Sequence, residues 1–261
     1  MIIALVWFTL PKVTQAALST PTVRNNTLVD GIDAQAQTTG TFSIDANDLI
    51  IFTWHVLSGN GIDSLGTVTI TDTFGNLTWT VIREGNNAFN DMQNTGAAWA
   101  IAGSDTSGTI TLTYSLAEPG GLNWNLQTFT FSGHDTVTPI RQSTTITDGG
   151  GTTVTSTLGL TPLSTSAVVG VIGTETDAGG ITPGTGFTEI YDTQTTSGFI
   201  DIRLQTMYDL TDADTTADWS SLAPHHAFAF EVAAAASSVQ NPPAKVSIMT
   251  PVFINAPLFI N

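Results

Sequence analysis

Residues 47 to 57 read NDLIIFTWHVL, and no other run in the chain limits the possible folds so strongly. On a period of two, Ile50, Phe52, Trp54 and Val56 fall on one side, and Leu49, Ile51, Thr53, His55 and Leu57 on the other. Neither side is polar. A strand of this kind has to sit in the middle of a sheet with a layer over each face, so the chain is expected to build stacked sheets around it.

Shorter, Thr-rich segments surround it. Residues 21 to 29 read as a first strand, and Gly66 to Thr73 alternates Thr67, Thr69 and Thr71 against Val68 and Ile70. Phe74, Gly75 and Asn76 read as a turn, with Leu77, Trp79 and Val81 facing inward on the return, which predicts a β-hairpin. Gly85 to Gly96 reads as a polar loop. Ala97 to Ala102 is the next strand, with Trp99 and Ile101 opposite a row of alanines. Gly108 to Ser115 puts Thr109, Thr111 and Thr113 outside and Ile110, Leu112 and Tyr114 inside. Trp124 to Ser132 is a long strand, and SGHDTVT (Ser132 to Thr138) turns the chain with His134 exposed.

Two short strands flank Gly149 to Gly151, and SAVVGVIG (Ser166 to Gly173) reads as buried. Phe187 to Asp192 follows. Phe199 to Tyr208 then sets Ile200, Ile202, Leu204 and Tyr208 on a dry face against Asp201, Arg203 and Gln205 on a wet one. Residues 223 to 232 close the array with His226, Phe228, Phe230 and Val232 on one face and His225, Ala227, Ala229 and Glu231 on the other. The pattern gives about twelve to fourteen strands and no amphipathic helix, which is an all-β, jelly-roll-like β-sandwich with extended apolar N- and C-terminal arms. No exact internal repeat shows in the residues, though Thr-rich strands recur at the spacing expected for a sandwich. Residues 1–20 are an apolar N-terminal arm or strand, 21–232 the sandwich, 233–244 a linker and 245–261 an apolar C-terminal arm.

The charge balance narrows the partners. Six basic residues, scattered singly, against 22 carboxylates give a net charge of −16, so there is no basic patch for a phosphate backbone and nucleic acid is not expected as a partner. Cysteine is absent, which removes disulfides and thiolate metal sites. Met1 to Leu10 (MIIALVWFTL) has the apolar character of a secretory core but no basic residue before it, and it is too short to cross a bilayer as a helix of roughly 20 residues. It reads as an uncleaved arm, and no membrane span is expected.

Chemistry is hard to find. Nucleophilic catalysis needs a base beside a Ser or Thr and a group to orient that base, and no nucleophile-elbow pattern surrounds any Ser. His55 reads as a core histidine. His225 and His226, adjacent in a strand, point to opposite faces and cannot chelate one ion together. Asp209, Asp212, Asp214 and Asp218 form the densest acidic cluster, a weak calcium candidate that lacks helix-loop-helix spacing and reads first as a solvated turn. Trp54, Trp79, Trp99 and Trp124 read as core, while Trp219 beside that cluster is the candidate for an exposed sugar-stacking ring. No catalytic residue and no cofactor is expected.

The ends then become the candidate functional feature. Ile2, Ile3, Val6 and Phe8 at one end, and Val246, Ile248, Val252, Phe253, Ile254, Leu258 and Phe259 at the other, are too apolar to remain in water. They either dock on their own domain or pair with a neighbour's sheet edge, a common way to lock subunits together. Over Pro21 to Val232 the segments TVTITDTFGNLTWTVI (Thr67 to Ile82), QTFTFSGHDTVTPI (Gln127 to Ile140) and HHAFAFEV (His225 to Val232) resemble the Thr- and Gly-rich jelly-roll-like modules of tailed-phage virion proteins and prokaryotic surface proteins. The resemblance carries no catalytic residues. With the acidic sandwich, the missing catalytic set and the two apolar ends, the expectation is a non-enzymatic virion structural protein at the virion surface, a capsid decoration or cement protein that contacts copies of itself or the major capsid protein. The alternatives are a subunit of an extracellular filament or surface layer held by strand exchange, and a carbohydrate-binding adhesin module whose partner is a surface glycan.

Overall fold

The computed structural model describes residues 17–32, 34–58, 65–75, 77–87, 92–116, 121–149, 153–175, 180–195, 201–210, 216–220 and 225–236. These all belong to one compact unit, Gln15–Ala236. The C-terminal arm and residues 1–16 of the N-terminal arm fall outside the described residues, while Leu18 of the latter is buried in the core between the two halves described below. Among those described there are nineteen strands and no helix, so the expected all-β sandwich architecture is present, with more and shorter strands than pattern reading predicts.

The first half of the unit contains β1 (Thr22–Ile32), β2 (Ala36–Thr38), β3 (Phe42–Ile44), β4 (Leu49–Ser58), β5 (Val68–Asp72), β6 (Thr80–Asn87), β7 (Met92–Ile101), β8 (Thr106–Gly108), β9 (Ile110–Tyr114) and β10 (Leu122–Phe131). An antiparallel sheet in the order β1-β10-β4-β7-β6 places β4 at its centre, where its two apolar faces require it to be. A smaller sheet, β2-β9-β5, and the pair β3-β8 complete this half. Ile50, Phe52, Trp54 and Val56 of β4 join Phe42, Ile44, Ile110, Leu112 and Tyr114 in one apolar core between the layers.

The second half contains β11 (Ile140–Ser143), β12 (Thr147–Gly149), β13 (Thr153–Thr157), β14 (Ala167–Glu175), β15 (Thr182–Pro183), β16 (Thr188–Gln194), β17 (Ile202–Asp209), β18 (Thr216–Ser220) and β19 (His225–Val232). Its main sheet runs β11-β19-β14-β17-β16, with β12 also on β19, and its small sheet runs β13-β18-β15. Val154, Ala217 and Trp219 of the small sheet pack on Val168, Ile172, Met207, Ala227 and Ala229 of the main one.

The span read as a single sandwich therefore holds two, stacked through their main sheets. A third core joins them: Leu49, Ile51, Phe129 and Phe131 from the first half meet Val169, Val171, Leu204, Phe228 and Phe230 from the second. Both main sheets are thus covered on both faces. This explains why β4, β10, β14 and β19 are buried at every position.

Four local expectations are corrected. Residues 68–72 and 80–87 form no hairpin: β5 pairs with β9 in the small sheet and β6 with β7 in the main one. Phe74 inserts into the core and the Trp79 indole N–H donates to Asp72 Oδ2 at 3.0 Å, so the chain turns between layers at this point and Val81 faces outward. Gly85 to Gly96 is largely strand, with Gln93, Asn94 and Thr95 fully buried. The face of β17 read as wet is dry at its centre, because Gln205 is buried and Met207 beside it enters the core of the second half. His134 is buried, bridged to Ala234 across the junction of the halves.

Candidate functional site

The seam between the two main sheets is apolar at one end and polar at the other, and the polar end is where the candidate chemistry gathers. Along β10 the even positions Leu122, Trp124 and Leu126 enter the first core, while Asn125 and Gln127 face the second half. The Gln127 amide donates to Thr193 Oγ1 and to the Leu204 carbonyl, each at 2.8 Å, and accepts from Thr206 Oγ1 at 3.1 Å. The Asn125 amide donates to the Thr193 carbonyl at 2.7 Å. Gln93 donates to Glu175 Oε2 at 3.0 Å, and the Tyr191 hydroxyl donates to the Thr128 carbonyl at 3.1 Å. Buried amides and hydroxyls on two sheets thereby pair with one another across the seam, which offsets much of the cost of burying them.

His55 occupies this polar end. Its Nδ1 lies 2.7 Å from Thr95 Oγ1, and its ring rests over Gly173 of β14, where any Cβ would collide with it. Burial, with His226 nearby, pushes the imidazole down to about 3. His226, pushed down to about 4 by burial and then by His225, comes from β19, whose His226 pairs with Gly173. The His55–Thr95 contact has the spacing of a base and a hydroxyl nucleophile, but so weak a base cannot hold a proton near neutrality, and both side chains are sealed from solvent. This arrangement locks the seam and provides no route for a substrate. His55 is thus the core histidine that the strand pattern suggests.

The other candidates separate. Asp209 ends β17 in a main sheet and is buried, Asp218 lies in the middle of β18 in a small sheet, and Asp212 and Asp214 lie outside the described residues. Among the described residues no group of three His, Cys, Asp or Glu is placed to hold a metal ion. His225 and His226 point to opposite faces. Trp219 is 1% exposed and fills the core of the second half, so it offers no ring to a sugar. Its neighbour in sequence, Asp218, suggests a wet strand, but that strand wets only one face. The arm residues Ile2, Ile3, Val6, Phe8, Val246, Ile248, Val252, Phe253, Ile254, Leu258 and Phe259 lie outside the described residues. No described helix is long and apolar enough to cross a membrane.

Two surface features escape the sequence reading. An open pocket of about 410 Å³ lies where the chain turns between layers, floored by Phe74, Leu77, Trp99 and Ile101 and rimmed by Thr78, Thr80, Ser104 and Thr106. Among the described residues no charged side chain lines it. The second feature is where the chain enters and leaves the described unit. The Ser19 N–H donates to the Ser132 carbonyl at 3.0 Å, and the Ala235 N–H donates to the Gly133 carbonyl at 2.8 Å. Gly133, at φ 77°, lies close under the Ala17 carbonyl. Ala17 and Ala235 are therefore neighbours at the junction of the two halves, a proximity between positions more than 200 residues apart that no local pattern announces. No family model, curated protein or solved structure matches the chain.

Proposed function

We propose that the protein is a non-enzymatic structural subunit of an ordered particle, in the first place a capsid decoration or cement protein on a virion surface. Its double sandwich would project outward while its apolar ends grip a neighbour, either a second copy or a major capsid protein. The observation that carries this reading is the shared position of Ala17 and Ala235 at one corner of the unit. The sequences beyond this corner at either end of the chain include the apolar runs MIIALVWFTL and KVSIMTPVFINAPLFIN, which suits attachment through the ends. The net charge of −16 supports the same reading, since an acidic body stays dispersed in solution and leaves attachment to the ends. Deleting residues 242–261 is expected to abolish incorporation into the particle while leaving the double sandwich folded. Normal incorporation of the truncated protein, followed by immunogold microscopy of the native source, would overturn the reading. The shape of the labelled particle separates a virion from a filament.

The uncharged pocket over Trp99 favours a second reading, a module for a neutral surface glycan. Glycan-array binding that disappears in Trp99→Ala would establish it.

A further inference from the structure

The two halves are wired alike. Matching β1 with β11, β4 with β14, β6 with β16, β7 with β17 and β10 with β19 converts the sheet order β1-β10-β4-β7-β6 into β11-β19-β14-β17-β16. Extending the match in chain order, β2 with β13, β5 with β15 and β9 with β18, converts β2-β9-β5 into β13-β18-β15. Eight strands thus follow one path twice.

Details that the path does not require also recur. In β6 the register slips by one residue between Val81 and Arg83, just after Thr80 pairs with Trp99. In β16 it slips between Glu189 and Tyr191, just after Thr188 pairs with Tyr208. Such bulges are kept within families and are not dictated by the sheet. The bulges bring matched side chains into the seam: Ile82 with Ile190, and Trp99 with Tyr208. The next match is Phe129, paired to Ile51, with Phe230, paired to Val169. Each half has an arginine at a register slip of its first edge strand, Arg24 and Arg141. Arg24 reaches Thr130, and Arg141 reaches Glu231 at the matching position of the neighbouring strand. A trace survives in the sequence as SLAEP at 115–119, after β9, and SLAP at 221–224, after β18.

The contacts across the seam follow the same correspondence. β4 packs on β14, β4 touches β17 as β14 touches β7, β10 touches β17 as β19 touches β7, and β1 touches β16 as β11 touches β6. Reciprocal contacts of this kind define an isologous, two-fold interface. We propose that the chain is an internal duplication, two copies of one sandwich module (17–131 and 140–236) mated as a dimer within one polypeptide. The seam is then an interaction surface, and the partner it fits is a second copy of the module. The copies have since specialised. Counting from Ile51 and Val169, the counterpart of His55 is Gly173, and the imidazole now sits in the space that the glycine leaves. Each half therefore fits the other better than it fits itself. This inference does not depend on the function proposed above.

The test uses the full chain with a protease site placed at Val137, which is 87% exposed in the junction. After cleavage the two fragments are expected to co-elute at the mass of the intact protein at micromolar concentration, and to recover that 1:1 complex after unfolding and joint refolding. Gly173→Ala in the cut protein is expected to weaken mating at least about tenfold, and His55→Ala to restore it. A second protein, with Asn261 linked to Met1 and new ends at Thr136 and Val137, reverses the order of the halves. It is expected to unfold at a urea midpoint within about a tenth of the original. Fragments that part on cleavage, or a reversed chain that does not fold, would overturn the duplication. Mating indifferent to Gly173→Ala would overturn the specialisation.

Discussion

Acid should loosen this protein through two histidines well before its carboxylates are titrated. His55 and His226 are held neutral in the seam at about 3 and about 4, against an ordinary value of 6.5. The folded value is depressed, so the unfolded chain binds these protons more readily. The stabilisation is complete above 6.5 and is lost as the pH falls towards the folded values. At about pH 5 each histidine has given up roughly 1.5 pH units of linkage, about 2 kcal/mol, or about 4 kcal/mol for the pair. That is a large share of a typical folding free energy of about 5–15 kcal/mol. Glu84 and Glu189, both raised by burial, act in the opposite direction and offset part of it. The assay is urea unfolding at about pH 7.5 and about pH 5, followed by tryptophan fluorescence, because Trp54 and Trp124 report the first half and Trp219 the second. A double variant, His55→Gln with His226→Gln, should lose most of the difference between the two pH values. An unchanged midpoint in the wild type, or an undiminished difference in the double variant, would refute the reasoning.

Glu231→Ala is expected to cost about 3 kcal/mol, because this buried carboxylate accepts from Arg141 at 2.7 Å, Gln142 at 2.6 Å and the Leu163 N–H at 2.9 Å. Burial pushes its carboxyl up, but the Leu163 N–H, Gln142, Ser166 and Arg141 together hold it below the ordinary value. Its contribution is therefore present above the ordinary carboxylate range and lost below it, and unfolding at pH 7 and in acid reads both. Asn94→Ala should cost about 2–4 kcal/mol, since Asn94 Oδ1 accepts from the Trp54 indole at 2.7 Å and the Tyr114 hydroxyl at 2.8 Å, and both donors would be orphaned. Trp219→Ala should cost about 3–5 kcal/mol by opening a cavity in the second half, with no effect on any glycan signal.

The sequence showed its layers more clearly than its pairings. Period-two alternation locates β4, β9, β10, β14 and β19 within a residue or two, because each is apolar on at least one face and bounded by turn residues. It fails where polar side chains are buried against one another. Gln93, Asn94 and Thr95 look like a loop, and Gln205 looks wet, because their partners lie far away in the chain. Asn123, Asn125 and Gln127, alternating with Leu122, Trp124 and Leu126, did carry a signal: amides at every second place opposite large apolar residues mark a strand whose second face meets another polar layer. The duplication left almost no residue identities. It survives in pairing order and bulge position, which are properties of the backbone.

The meeting of Ala17, Gly133 and Ala235 also governs how the protein bears mechanical load. A pull between Ala17 and Ala235 enters at this one corner and acts first on the hydrogen bonds from Ser19 to Ser132 and from Ala235 to Gly133. It reaches β1 and β19, the next strands along the chain on either side, only after those bonds have opened. The load would open the body from that corner, bond by bond, instead of shearing β4 from β10.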